Sequence, residues 1–316
     1  MKELYHHQAY VIEEYAEAYQ DHRLGRRDLL RRALMITGSV PLTASVLLAL
    51  GCGDSGDEDA PVATATTAAA APTSAAGTPA GTSATDPALE AADITWQGPA
   101  SEMKGYLARP KASGSYPAVV VIHENRGLLD HFKDVARRYA KEGFVALAVD
   151  LVSRVGGTSD DTTKNMTALR ASPEDLLADL TSGVDYLKQQ SFVKANAIGV
   201  SGFCFGGGQA FELAINNKDI KAAVPYYGTV SAASMEKFGN SNAAFLVMYG
   251  GTDTRVNAQI PDVTSRLQAA NKQFEIKVWD GAGHAFFNDT GQAYNEATAK
   301  EAWPMTLAWF RKYLTG

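Results

Sequence analysis

A cysteine in a glycine-rich corner is the first position where this sequence could carry out chemistry. Residues 202–206 read Gly-Phe-Cys-Phe-Gly, shortly after an apolar run that ends at Val200. Flanking glycines permit the sharp strand-to-helix turn of a nucleophile elbow, and we predict that Cys204 is the nucleophile, ahead of a helix that begins near Gln209. The start of such a helix favours a thiolate and presents the amide of Phe205 to a developing oxyanion. The alternative is that Cys204 is a buried cysteine that only packs.

A general base and an acid follow this cysteine along the chain. His284 is the only histidine after Cys204, and it lies in a glycine-rich loop after the apolar run 274–279. Asp253 follows the run 244–249, at the carboxyl end of a predicted strand, where catalytic groups gather in parallel sheets. The order nucleophile, acid, histidine is that of α/β-hydrolases, so we predict Asp253 as the acid. Asp280 is the second candidate, but it is so close to His284 that a surface-loop role is more natural.

Alternating strand and helix patterns surround these residues. Amphipathic helical spacing at 131–142, a capped start at Ser172 and a closing helix around 295–314 lie between or after continuous apolar runs. Such runs are typical of strands that are buried on both faces of a sheet. We predict an α/β-hydrolase fold, a mostly parallel sheet flanked by helices on both faces, as a single domain over residues 87–316. The runs that predict strands are 116–122, 144–149, 197–200, 222–226, 244–249 and 274–279.

The composition excludes several classes of protein. The 316 residues carry a net charge of −6, and no basic block lies beyond the N-terminal region, so the electrostatic surface of a nucleic-acid binder is missing. The hydrophobic content of 46% excludes disorder over the whole chain. The two cysteines are too far apart to indicate a zinc site, and His123 and His131 belong to no metal-ligand cluster. We therefore expect neither a metal nor a cofactor.

The N-terminal region predicts export. Arg26 and Arg27 precede two leucines and two further arginines, and the uncharged stretch 33–51 follows. This pattern resembles a twin-arginine (Tat) signal peptide, and the stretch approaches the length of a membrane span. Cys52 stands where bacterial lipoproteins carry their lipidated cysteine, although the preceding residues fit that motif imperfectly. The alternatives are an uncleaved signal anchor, a free soluble product after ordinary cleavage, and a buried core helix.

A low-complexity segment separates this region from the folded domain. Residues 53–86 are almost wholly Ala, Thr, Ser, Pro and Gly after a short acidic start, and they contain no Lys or Arg. Such a composition buries too little apolar surface to offset its ordering entropy. We predict an export signal or anchor over residues 1–52, a disordered spacer over 53–86, and an extracytoplasmic, membrane-anchored location. A monomer is favoured.

The folded region resembles the dienelactone hydrolase family. The resemblance covers essentially all of it, and the elbow, extended by a further glycine at 207, is the most specific motif. It implies a triad of Cys204, Asp253 and His284. It also implies that Glu124, after an early strand, pairs with the resting cysteine. Without the family, Glu124 could equally be a salt-bridged surface residue.

Two further features bear on the substrate. The family has an Arg in an Asp-Leu-x-x-Arg segment that helps hold a substrate carboxylate, and residues 150–154 keep this segment with Arg154; without the family, Arg154 could be a solvated loop charge. Members acting on an acidic lactone carry a second Arg shortly after the catalytic histidine, whereas residues 286–289 here read Phe-Phe-Asn-Asp. We expect a more hydrophobic small ester or lactone, with the amides of Phe205 and Asn125 binding the oxyanion.

Two classes compete with the hydrolase. One is a tethered, non-catalytic binding protein built on a hydrolase fold, because a fold alone does not fix a function. The other is a thiol redox sensor that uses Cys204. A sensor of this kind usually has a resolving cysteine nearby, and Cys52 belongs to the signal region.

Overall fold

The computed structural model describes Tyr15, residues 26–37, Thr43, residues 81–169 and residues 172–315. The chain divides into two compact units, Met1–Ala75 and Ala76–Gly316. In the first unit, helix α1 (Arg26–Thr37) contains the paired arginines of the predicted export signal. Cys52, most of the apolar stretch 33–51 and most of the predicted spacer lie outside the described residues. Among the described residues, none of the helices combines the length and the apolar character that crossing a bilayer requires.

The second unit is built on one eight-stranded sheet. The strand order is β1-β2-β4-β3-β5-β6-β7-β8. Strands β3 to β8 run parallel to one another, whereas β2 is antiparallel to both β1 and β4. The strands are β1 (Leu89–Gln97), β2 (Glu102–Pro110), β3 (Tyr116–Ile122), β4 (Val145–Asp150), β5 (Val193–Phe203), β6 (Ile220–Tyr226), β7 (Ala244–Gly250) and β8 (Phe274–Trp279).

The predicted fold class is confirmed, because each predicted run lies in one of the six parallel strands, except that the run 144–149 begins one residue before its strand. Strands β4 and β7 are buried at every residue, as expected for strands covered on both faces. The antiparallel pair β1 and β2 was not predicted. Strand β1 lies at the sheet edge and has exposed and half-buried residues over most of its length, so its sequence lacks a continuous apolar run.

Helices cover both faces of the sheet. Tyr139 on α2 (Asp130–Lys141) packs against Trp303 and Phe310 on α9 (Glu296–Leu314) with ring centroids 4.6 and 5.8 Å apart, so these two helices share a face. Phe310 also lies where a side chain at Gly199 would point, whereas Ala210 on α5 lies over Gly202 of the same strand. Because the two glycines are three residues apart, α9 and α5 lie on opposite faces. The helices are α2 (Asp130–Lys141), α3 (Thr162–Ala168), α4 (Pro173–Lys188), α5 (Phe205–Asn216), α6 (Ala232–Met235), α7 (Thr254–Asn257), α8 (Ile260–Ala269) and α9 (Glu296–Leu314).

Helix starts follow local capping chemistry. The Ser172 hydroxyl accepts a hydrogen bond from the amide of Asp175, and Pro173 begins α4, as the sequence predicts. Helix α5, however, begins at Phe205 and not near Gln209, which corrects the predicted boundary. The glycines after Cys204 are part of the helix, because they allow it to approach the sheet closely. A Cβ on Gly207 would lie 2.5 Å from the carbonyl oxygen of Tyr226.

Candidate active site

Cys204 occupies the strained junction between β5 and α5. Its backbone has φ 54° and ψ −116°, a conformation that L-residues rarely adopt and that costs of order 1–3 kcal/mol. The Cys204 amide donates to the carbonyl of Tyr226 at 3.1 Å, and its carbonyl accepts from the amide of Gly207 at 2.9 Å. A Cβ on Gly202 would overlap the carbonyl oxygen of Gly206, so the turn cannot widen. This is the geometry of the predicted nucleophile elbow.

The predicted oxyanion donors, like this cysteine, lie at the carboxyl ends of the parallel strands. Phe205 is the first residue of α5, directly after Cys204, and Asn125 lies three residues after the end of β3. Strands β3 and β5 are parallel neighbours, so their carboxyl ends lie side by side. A backbone amide from each loop is the arrangement that an oxyanion hole requires. The function of the two amides stays a prediction.

His284 and Asp253 form a hydrogen-bonded pair. The distance from Nδ1 of His284 to Oδ2 of Asp253 is 2.6 Å, and the aspartate is buried. The other carboxylate oxygen of Asp253 accepts from the amide of Val256 and caps α7. Because the carboxylate holds a proton at Nδ1, Nε2 is the basic nitrogen of the ring. Asp280, the second candidate acid, is exposed.

The charge of Asp253 is stabilised by its partner. Burial disfavours the ionised carboxylate, but the hydrogen bond from His284 and the charge on its ring outweigh burial and lower the pKa of Asp253 below its ordinary value of 3.8. The aspartate is therefore an anion at neutral pH and favours an imidazolium beside it. This is the electrostatic role of the acid in a nucleophile, base and acid triad.

Glu124 is held by two neutral donors. Its Oε1 accepts from the Tyr227 hydroxyl at 3.3 Å, and its Oε2 accepts from Nδ2 of Asn288 at 2.8 Å. His123 fixes the backbone beside it, since Nε2 accepts from the amide of Leu151 at 3.1 Å and Nδ1 lies 2.6 Å from the carbonyl oxygen of Glu124. The carboxylate thus lies in a defined place at the carboxyl end of β3.

Tyr227 links the candidate residues, and sequence reasoning missed it. It is buried with φ 38°, and its ring lies 5.1 Å from that of His284. Burial, followed by the negative charges of Glu124 and Cys204, raises the pKa of its phenol well above 10. The phenol therefore stays neutral and can only donate to the carboxylate. Its place after the predicted strand 222–226 is the signal that could have found it, since the same argument identified Asp253.

Asn288 is the second site residue that the sequence did not single out. The sequence analysis mentions it only as part of residues 286–289, which lack the second arginine of the family. The side-chain amide of Asn288 donates a hydrogen bond directly to Glu124. The two residues are 164 positions apart in the sequence, so no local pattern predicts this contact.

Arg154 is bound by two aspartates of α4. Its Nε and Nη2 contact Asp179 at 2.7 and 3.0 Å, and its Nη1 contacts Asp175 at 2.9 Å. Asp179 is fully buried beneath it. All three nitrogens of the guanidinium are therefore engaged within the protein. The predicted role of Arg154 in substrate binding stays a prediction, and these contacts weigh against it.

Comparisons with known proteins find similar sequences. The model of the dienelactone hydrolase family matches residues 103–314. A Salmonella typhimurium protein described as a "putative carboxymethylenebutenolidase" is 34% identical over 72% of this chain and 89% of its own length. A Bradyrhizobium protein described as a "probable 2-oxo-3-(5-oxofuran-2-ylidene)propanoate lactonase" is 33% identical over 67% of this chain and 90% of its own length.

A solved structure has the same fold. The crystal structure of a "putative dienelactone hydrolase" from Klebsiella pneumoniae superposes with a TM-score of 0.66 and 31% identity, covering 72% of this chain and all of that one. The residues that match the family model include strands β3 to β8 and helices α2 to α9.

The His284–Asp253 pair predicts a specific pH dependence of stability. A carboxylate whose pKa is lowered on folding stabilises the protein above its ordinary value of 3.8, and this contribution is lost as the pH falls through the lower folded-state value. We expect the free energy of unfolding of Asp253→Asn to fall less steeply on acidification than that of the wild type. Urea unfolding at a series of pH values measures it. The exposed Asp280→Asn is the control and should change the slope less. Parallel curves for the wild type and Asp253→Asn would contradict the assignment.

Proposed function

Because this chain belongs to the dienelactone hydrolase family, we propose that it cleaves an ester or lactone through a triad of Cys204, His284 and Asp253. The family membership makes it an ester or lactone hydrolase. The observation that carries the triad is the strained cysteine at the β5–α5 junction, with the His284–Asp253 pair following β7 and β8 at the same sheet edge. A redox-sensing or purely binding role would need neither the strained elbow nor the histidine pair.

The first half of the reaction makes a thioester. His284 accepts the thiol proton of Cys204 at Nε2, and Asp253 stabilises the resulting imidazolium. The thiolate attacks the carbonyl carbon, and the amides of Phe205 and Asn125 donate to the oxyanion. The tetrahedral intermediate then expels the alkoxide, which takes the proton from His284.

The second half releases the acid. A water molecule gives a proton to His284 and attacks the thioester carbonyl. Collapse of this intermediate breaks the carbon–sulfur bond, and the proton on His284 returns to the sulfur. Glu124, which accepts a hydrogen bond from Tyr227, restrains the resting thiol of Cys204. The high pKa of Tyr227 keeps its phenol protonated, so the phenol donates to Glu124 throughout the cycle.

We propose a neutral ester or lactone as the substrate. Two observations support this choice. The guanidinium of Arg154 is matched by Asp175 and Asp179, so it has little charge to offer a substrate carboxylate. Residues 286–289, shortly after His284, contain no arginine, and Asn288 there is uncharged and donates its amide hydrogen bond to Glu124.

We also propose that residues 1–52 export and tether the domain, with Cys52 as the lipidated residue. The support is the paired arginines, the uncharged stretch and the low-complexity spacer of the sequence. Incorporation of labelled fatty acid into the full chain, and its loss in Cys52→Ala, is the expected result. Equal labelling of the two would contradict lipidation at Cys52.

Removal of the nucleophile tests the proposed triad. We expect Cys204→Ala to lose turnover of neutral p-nitrophenyl esters by about 10³-fold or more, because no other group can form the thioester. Steady-state kinetics measures the loss, and the unfolding midpoint shows whether the variant is folded. Cys204→Ser is the matched control, with nearly the same shape and a weaker nucleophile. Retained turnover in folded Cys204→Ala would overturn the assignment.

The proposed substrate charge is tested at Arg154. We expect Arg154→Met to leave the ratio of kcat/KM for a neutral lactone and a carboxylate-bearing lactone within about twofold of the wild type, because an arginine that does not contact substrate cannot set that ratio. The variant should unfold at lower urea concentration, since it leaves the buried Asp179 without its partner. A tenfold loss confined to the carboxylate-bearing lactone would show that Arg154 binds it.

A further inference from the structure

We propose that a hydrogen-bonded cluster of His131, Arg138 and Asp289 positions Asn288, and through it the carboxylate of Glu124. The inference rests on the proposed function, because Glu124 matters to the reaction only beside a reactive Cys204. In it, His131, Arg138 and Asp289 are positioning residues for a catalytic loop.

The cluster joins helix α2 to the loop after the catalytic histidine. Oδ1 of Asp289 accepts from Nδ1 of His131 at 2.8 Å, and its Oδ2 contacts the guanidinium of Arg138. Arg138 also donates from Nε to Asp134 at 2.7 Å. His131 and Arg138 are both buried, with 4% and 5% of their surface exposed, whereas Asp289 is half-buried, so the contacts are largely removed from water.

Asp289 is a permanent anion in this setting. Burial opposes its ionisation, but the hydrogen bonds from His131 and Arg138 outweigh burial and lower its pKa to about 2. A half-buried carboxylate with a hydrogen-bond donor on each oxygen resists displacement, because moving it would take one anionic partner away from the buried Arg138. Asp289 therefore holds the loop after His284 against α2.

Asn288, the residue before Asp289, connects the fixed position of Asp289 to the candidate site. The amide of Asn288 donates to the carbonyl of Ala285 at 3.0 Å, which closes a turn that begins one residue after His284. Ala285 has φ 59°, a conformation that must be held by its surroundings. The contacts of Asp289 with α2 therefore fix the residue that follows a short, strained turn, which runs from Ala285 to Asn288.

The side-chain amide of Asn288 is oriented from both ends. Its Oδ1 accepts from the amide and the hydroxyl of Thr290, at 3.1 and 2.7 Å. Its Nδ2 is thereby turned toward Oε2 of Glu124, at 2.8 Å. A shift of the loop would break this hydrogen bond and release one side of the Glu124 carboxylate.

A double-mutant cycle separates positioning from a general contribution to stability. We compare the full-length wild type with Asp289→Asn, Asn288→Ala and the double variant. If Asp289 acts through Asn288, each single substitution lowers kcat/KM for a neutral ester by about tenfold, and the double variant loses no more than about tenfold. Losses that multiply to about a hundredfold, or an Asp289→Asn variant within about twofold of the wild type, would overturn the proposal.

A second readout does not depend on turnover. The rate of alkylation of Cys204 by iodoacetamide reports the surroundings of the thiol whether or not the protein hydrolyses esters. We expect Asp289→Asn and Asn288→Ala to change this rate by the same factor, and the double variant to match them. A change in Asn288→Ala alone would overturn the proposal. Hydrolysis that persists in Cys204→Ala would instead refute the proposed function and leave the alkylation cycle as a valid test.

Matched controls guard against loss of folding. Asp219→Asn makes the same chemical change at an exposed ion pair with Lys188, beside the amino end of β6 and thus at the opposite sheet edge. It should change neither readout by more than about twofold, and an effect equal to that of Asp289→Asn would contradict a local role.

Substitutions at His131 provide an alternative test if the Asp289→Asn variant does not fold. His131→Asn keeps a donor near the position of Nδ1, whereas His131→Leu removes it. We expect His131→Asn to retain kcat/KM within about threefold and His131→Leu to lose about tenfold. Equal activities of the two variants would overturn the role of the hydrogen bond to Asp289.

Discussion

The close approach of helix α5 to the sheet is the constraint on which the candidate active site depends. A Cβ on Gly206 would overlap the carbonyl oxygen of Ile122 in β3, and one on Gly207 would lie 2.5 Å from Tyr226 in β6. The helix can therefore begin directly at the strand end only because these positions lack side chains. The residue at the junction is forced to a positive φ, and Cys204 occupies it. Parallel strands bring the remaining groups to the same edge, with Glu124 after β3, Tyr227 after β6 and Asp253 after β7.

The two carboxylates of the site are stabilised in different ways. Asp253 is matched by an imidazole that can carry a positive charge, so its energy changes as His284 titrates during a reaction cycle. Glu124 is matched by a phenol and an amide, which stay neutral. Of these three partners, only the imidazole can take up a proton and change its charge near neutral pH. The guanidinium of Arg138 contacts Asp289, the residue that follows Asn288.

Much of this arrangement follows from the sequence, and the rest depends on long-range packing. Most of the parallel strands contain continuous apolar runs, and the glycines around Cys204 have a local steric cause, so fold class and elbow could both be predicted. Chain order placed Asp253 and His284 together, and the structure has them in contact, while their catalytic roles stay predictions. Strand β1 escaped prediction because an edge strand needs no apolar run. The partners of Arg154 lie on α4, and those of Glu124 come from two distant loops. No periodicity specifies such pairings, because they are set by how layers stack.

The central claim is that Cys204 forms a covalent acyl intermediate. Rapid quenching of the wild type with a slowly hydrolysed neutral ester, followed by mass spectrometry of the peptide that contains residues 202–206, tests it directly. The account predicts that this peptide gains the mass of the acyl group, that His284→Ala accumulates none on the same time scale, and that hydroxylamine removes the adduct as expected for a thioester. Turnover of the ester with no acyl group on Cys204, or with the group on another residue, would contradict it.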